Sequence, residues 1–157
     1  MANANIAKGF RLYKVASGLT PQLEYAELNA TVAAGDPLIW SSGLLGIHTA
    51  AADEKIVGIA QAAGVSGDKI PYIPVQENQI WAIQASTYTE ATHRGGVYEL
   101  AGTTGVFYVN VAGTTKPMVR IVGKLPPPAL NNATGTYATV LVTIVADSYG
   151  RSGTVTV

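Results

Sequence analysis

The stretch YATVLVTIVA at residues 137–146 decides the fold class. Val140, Val142 and Ile144 fall on one side of a two-residue period, while Thr139, Leu141, Thr143 and Val145 fall on the other. A strand turns successive side chains to opposite faces, whereas a helix needs apolar residues every three or four positions. The run is rich in β-branched residues, which suit a pleated, half-buried surface. It also falls far short of the roughly 20 residues that a membrane helix requires.

The same period recurs on moving outward. In QIWAIQAS (residues 79–86), Trp81, Ile83 and Ala85 alternate with Ile80, Ala82 and Gln84; in GVFYVNVAG (residues 105–113), Phe107, Val109 and Val111 share one side. Turn chemistry separates these runs at AAGDP (33–37), VSGD (65–68), HRGG (93–96), AGTTG (101–105) and AGTTKP (112–117). The two AGTT phrases fit a pair of similar hairpin turns. Short strands at this spacing predict an all-β chain, an antiparallel β-sandwich or barrel of jelly-roll-like type. ADEKIVGIAQAAG (residues 52–64) has helical spacing in Ile56, Ile59, Ala60 and Ala63, yet Gly58 costs a helix interior about 1 kcal/mol. A strand is the preferred reading there.

At 157 residues one domain accounts for the chain. Residues 1–9 hold little to bury, so residues 1–20 read as an extended N-terminal arm and lead-in, with residues 21–157 as a single β domain. The prolines Pro126, Pro127 and Pro128 predict a stiff spacer that holds the last long strand away from the preceding one or reaches across a neighbour.

Ten Lys and Arg balance ten Asp and Glu, so no long-range field favours nucleic acid or an anionic membrane as a partner. Charged residues are only 13% of the chain against about 25% in an ordinary soluble domain, which suits a subunit packed against others. With no Cys there is no disulfide, thiolate nucleophile or Cys-ligated zinc. The start lacks a secretory h-region, so the chain reads as soluble and unexported.

Chemistry-bearing motifs are sparse. His48 and His93 have no partner at metal-ligand spacing and read as turn or surface histidines. No GxSxG elbow or complete phosphate loop occurs, and Glu77, Glu90 and Glu99 fit solvent-facing or edge charges as well as a carboxylate pair. The expectation is a non-enzyme with no cofactor and no metal. Among the aromatics, Trp81 reads as core, while Trp40, just before SSG, reads as partly exposed and available to an interface or a sugar.

Several phrases carry a resemblance. MANAN followed by GF, GDPLIW (35–40), VGIAQAA (57–63), IPVQENQIWAIQAS (73–86) and PPPALNNATGTYATVLVTIVADS (126–148) occur in the order found in a family of small structural proteins of tailed bacteriophages. IWAIQ stands where that family carries the more acidic IFEIQ. The chain thus resembles capsid decoration, or cement, proteins. The resemblance implies a virion structural protein made in the host cytoplasm, bound to the major capsid protein on the outer surface of an icosahedral head, commonly as a homotrimer. The residues offered to capsid or subunit contacts are Ala2, Asn3, Asn5, Ile6, Phe10, Trp40, Pro126, Pro127 and Pro128, with residues 137–145 as a central strand near the trimer axis. Another head or tail-fibre component, or a carbohydrate-binding β-sandwich using Trp40, are the alternatives.

Overall fold

The computed structural model describes residues 3, 5, 7–15, 20–49, 55–77, 79–126 and 134–145. In order these form β1 (Arg11–Val15), β2 (Glu24–Glu27), β3 (Pro37–Ser41), β4 (Leu44–Ile47), β5 (Gly58–Ala60), β6 (Lys69–Pro74) and β7 (Gln79–Gln84). There follow β8 (Thr87–Tyr88), a single turn α1 (Glu90–His93), β9 (Val97–Ala101), β10 (Tyr108–Asn110), β11 (Val119–Lys124), β12 (Gly135–Thr136) and β13 (Thr139–Ile144). The strand ladders are antiparallel, as the two-residue period requires.

A six-stranded sheet runs β1-β7-β13-β11-β9-β10. Its register aligns Leu12, Trp81, Val142 and Ile121 in one row across four strands, with Val140 opposite Ile83 and Val119 opposite Ile144. That row is the apolar side of residues 137–146 read from the sequence, and it forms the main core together with Phe10, Leu100 and Val109. β13 lies inside the sheet, paired on both edges. Trp81 is fully buried, as its alternation predicts, and meets the Phe10 ring edge to face at 6.2 Å.

The second sheet runs β2-β6-β5-β3-β4. Its Ile59 and Ile73 join the main core, so the two sheets are layers of one sandwich. Leu38, Leu45, Ala60, Ile70 and Tyr72 build a smaller core with Leu28 and Val32. This sheet curls until an isolated bridge, Leu28 to Leu45, brings the end of β2 beside β4. Neither sheet closes into a barrel, so the sandwich is the architecture. β8 and β12 make a separate two-stranded ribbon.

AAGD and VSGD prove to be the same turn used twice. In each, the Asp side chain accepts from the N–H three residues earlier, Ala33 at 2.8 Å and Val65 at 2.9 Å, and the Gly before it has positive φ. The turns leave from adjacent points, since Val32 and Gly64 exchange backbone hydrogen bonds of 2.9 and 3.1 Å. AGTTG joins the paired β9 and β10 as expected. AGTTKP does not make a hairpin: β9 lies between β10 and β11, so this loop crosses from one side of β9 to the other.

Two further expectations change. β11 and β13 pair directly, so the proline stretch links neighbouring strands and does not hold them apart. Residues before 21 also belong to the sandwich. Phe10 is 2% exposed in the core and residues 11–15 are the edge strand β1, because Phe10 and Leu12 both pack against Trp81. The segment at residues 52–64 contains β5, the preferred strand.

Candidate interaction surface

The phrases GF, GDP and VGIAQ meet at one backbone crossing. Gly9 N–H donates to Phe107 O at 3.2 Å, Phe10 N–H to Gly35 O at 2.8 Å, Gly35 N–H to Ala60 O at 2.8 Å, and Ala60 N–H to Asp36 O at 3.0 Å. The Asp36 carboxylate, fully buried, ties in the segment of Phe107 a second time by accepting from Gly105 N–H at 2.8 Å. Burial pushes its carboxyl above the ordinary 3.8, and the N–H groups of Ala33 and Gly105 oppose that shift.

N-terminal to this crossing, Asn3 and Asn5 touch the β8–β12 ribbon and the last residue of β7. Asn3 Nδ2 donates to Thr136 O at 3.1 Å, and Asn5 Oδ1 accepts from Gln84 Nε2 at 3.0 Å. The arm therefore lies on its own subunit at both described asparagines. Ala2 and Ile6 lie outside the described residues. Phe10 is a core side chain and offers no surface to a partner.

Trp40 is 45% exposed, as its place before SSG predicts. Ser42 (φ 52) and Gly43 (φ 80) form a tight turn with two positive φ angles, closing the β3–β4 hairpin so that Trp40 stands near its end. Its ring meets Tyr72 at 6.3 Å and 90°. Gly58 makes that contact possible: a Cβ there would run into the Tyr72 ring, which lies over β5 in the space a side chain would fill. Tyr72 O–H donates to Glu24 Oε2 at 2.8 Å. Burial first, then the accepting carboxylate and its charge, raise the Tyr72 phenol well above its ordinary value. An exposed indole is thus held on a buried, hydrogen-bonded phenol, a rigid aromatic of the kind that anchors interfaces.

The other expected residues are dispersed. Pro126 is exposed after β11, while Pro127 and Pro128 lie outside the described residues. Glu99 Oε1 accepts from Lys116 N–H at 2.8 Å, fixing the crossing loop, and Glu90 pairs with Arg94 at 3.0 Å on the surface. His93 Nδ1 accepts from Thr89 N–H at 2.9 Å, with its ring between Tyr88 and Tyr98. His48, expected in a turn or at the surface, is instead buried after β4, where its backbone N–H donates to Pro37 O at 2.9 Å. No cluster of three or more metal-ligating side chains occurs among the described residues, and no helix there is long and apolar enough to cross a membrane.

Sequence reasoning missed a groove on the outer face of the six-stranded sheet, where Gln84, Ser86, Tyr108 and Tyr137 come together beside Asn5. The alternation that puts Phe107 and Val109 in the core implies Tyr108 on the opposite face, but it says nothing of Tyr137, whose φ of 60° is set by its neighbours. No protein-family model matches the chain, and no curated protein matches its sequence.

Proposed function

We propose that this chain is a capsid decoration protein, a structural protein of the virion that binds the major capsid protein on the outside of a phage head and reinforces the shell, working as a homotrimer. The observation that supports this reading is the convergence of the resembling phrases. GF, GDP and VGIAQ share one backbone crossing, and IWAIQ and YATVLV are paired strands. A resemblance spread thinly along the sequence thus coincides with one folded unit. Sparse surface charge and an exposed, supported Trp40 fit a subunit whose work is adhesion. Modest contacts from three subunits would sum by avidity.

The segment N-terminal to Gly9, tied to its own subunit at Asn3 and Asn5, is the part of the arm offered to the capsid or an adjacent subunit. The test is co-sedimentation of the purified chain with undecorated heads, followed by electron microscopy of the decorated particle. Density of this size on the outer shell at threefold positions is the expected result. Failure to bind, or a monomer by ultracentrifugation at micromolar concentration, overturns the decoration reading or the trimer respectively.

Trp40 on Tyr72 also favours a second reading, a carbohydrate-binding sandwich. Glycan-array binding abolished by Trp40→Ala, with head binding absent, would establish it.

A further inference from the structure

We propose that the groove on the outer face of the six-stranded sheet binds a neutral saccharide, independently of Trp40 and of the capsid reading. Two adjoining cavities, about 210 and 390 Å³, share Asn5 and Tyr108. The smaller is lined by Gln84, Ser86 and Tyr137; the larger extends along Ala7, Gly102 and Val106. Among the described residues the lining consists of two phenols, two carboxamides, a hydroxyl and small apolar groups, with no Asp, Glu, Lys, Arg or His. Asn5 and Gln84 hold each other by a 3.0 Å hydrogen bond and Ser86 Oγ accepts from Val111 N–H at 3.3 Å, so these groups are fixed in place. A carboxamide or hydroxyl has further donor and acceptor capacity for sugar hydroxyls, and the two aromatic rings suit the C–H face of a pyranose.

Tyr137 is the unusual feature. It holds φ of 60°, a conformation that bulky residues rarely adopt. Its neighbours impose it: Thr136 pairs with Thr87, Ala138 O accepts from Ala85 N–H at 2.8 Å, and Tyr137 N–H donates to Ser86 O at 3.3 Å. Glycine would adopt this backbone without strain, so a tyrosine here places a ring at the groove against the local preference.

A peptide is the less suited occupant. β10 ends its sheet, but its far edge is covered: Ser86 N–H donates to Val109 O at 2.8 Å, and Val111 N–H donates to Ser86 Oγ at 3.3 Å. An added strand would find no open ladder beside the groove.

The test is amide-resolved NMR of the full chain titrated with D-glucose, D-galactose or N-acetyl-D-glucosamine at millimolar concentration. Saturable shifts confined to residues 84–86, 108 and 137 are expected with at least one of them. Tyr108→Ala and Tyr137→Ala should each weaken that binding about tenfold, the scale of losing a ring contact. Tyr137→Gly, which removes the ring and relieves the backbone, serves if Tyr137→Ala does not fold. Absence of saturable shifts with all three sugars overturns the proposal. So do shifts centred on Trp40, binding unchanged by loss of either ring, or perturbation of these amides by a peptide alone.

Discussion

Gly9 and Gly35 stand back to back, each with positive φ, at 73° and 94°, and each occupying the space where the other's neighbourhood would meet a side chain. A Cβ on Gly9 would run into the Gly35 carbonyl, and one on Gly35 into the Lys8 carbonyl. The N-terminal segment enters the sandwich through this contact and delivers Phe10 to the core.

Gly9→Ala and Gly35→Ala should therefore each destabilise the fold by about 2–4 kcal/mol, combining backbone strain with steric conflict. Gly67→Ala is the comparison. Gly67 has φ of 94° but no neighbour within 4 Å of a Cβ, so only the conformational cost of about 1 kcal/mol remains. Chemical denaturation of the three variants checks the order, and equal losses would show that the close approach contributes nothing.

The arm and the core separate at Gly9. Phe10→Ala should cost about 3–5 kcal/mol as a large-to-small change in a packed core. Deleting residues 2–6 removes the side-chain bonds of Asn3 and Asn5, so it should cost no more than about 2 kcal/mol while sharply reducing binding to undecorated heads. Undiminished head binding by this deletion would refute a capsid role for the arm.

Asp36 couples stability to pH. Its native carboxyl titrates above 3.8, so between 3.8 and the raised native value the folded state holds more protons than the unfolded one. Stability from this group is complete below 3.8, falls as pH rises through that window, and is constant above it. The advantage of the wild type over Asp36→Asn should grow on acidification. At neutral pH the variant should still lose about 1–3 kcal/mol, because a carboxamide cannot accept from both Ala33 and Gly105 with its two ends. A carboxyl midpoint at or below 3.8 by NMR would mean that the two N–H groups outweigh burial.

Trp40→Ala should change stability by less than about 1 kcal/mol, since the ring is substantially exposed, yet weaken head binding at least tenfold if Trp40 anchors the interface. Gly58→Ala should give a related binding defect by displacing the Tyr72 ring that supports it. Unaltered binding by both variants would remove Trp40 from the contact.

Tyr88 has a buried hydroxyl without a hydrogen-bond partner among the described residues. Tyr88→Phe should leave stability unchanged or raise it by about 1 kcal/mol, because it deletes a buried polar atom while keeping the ring. A loss above about 1 kcal/mol in thermal unfolding would reveal a bond made by that hydroxyl.

The sequence by itself determined the all-β class and the core side of the central strands. A strand's period is local, and Trp81, Val140, Val142 and Ile144 follow it from the residue order alone. The AAGD and VSGD turns were equally legible, since an Asp bonding three residues back and a Gly with positive φ are local chemistry. Trp40 was readable as exposed because it precedes a tight turn.

Tertiary structure decided which strands pair, and thereby everything that depends on distant segments meeting. It put Phe10 in the core instead of on an arm, since only the folded body offers its ring a place beside Trp81. It sent AGTTKP across β9 and joined the strands flanking the prolines, because turn composition does not encode which edge a strand takes. The groove between Tyr108 and Tyr137 arises in the same way. One ring is placed by alternation within its strand, the other by hydrogen bonds to residues some fifty positions earlier in the chain, and no local pattern records that second placement.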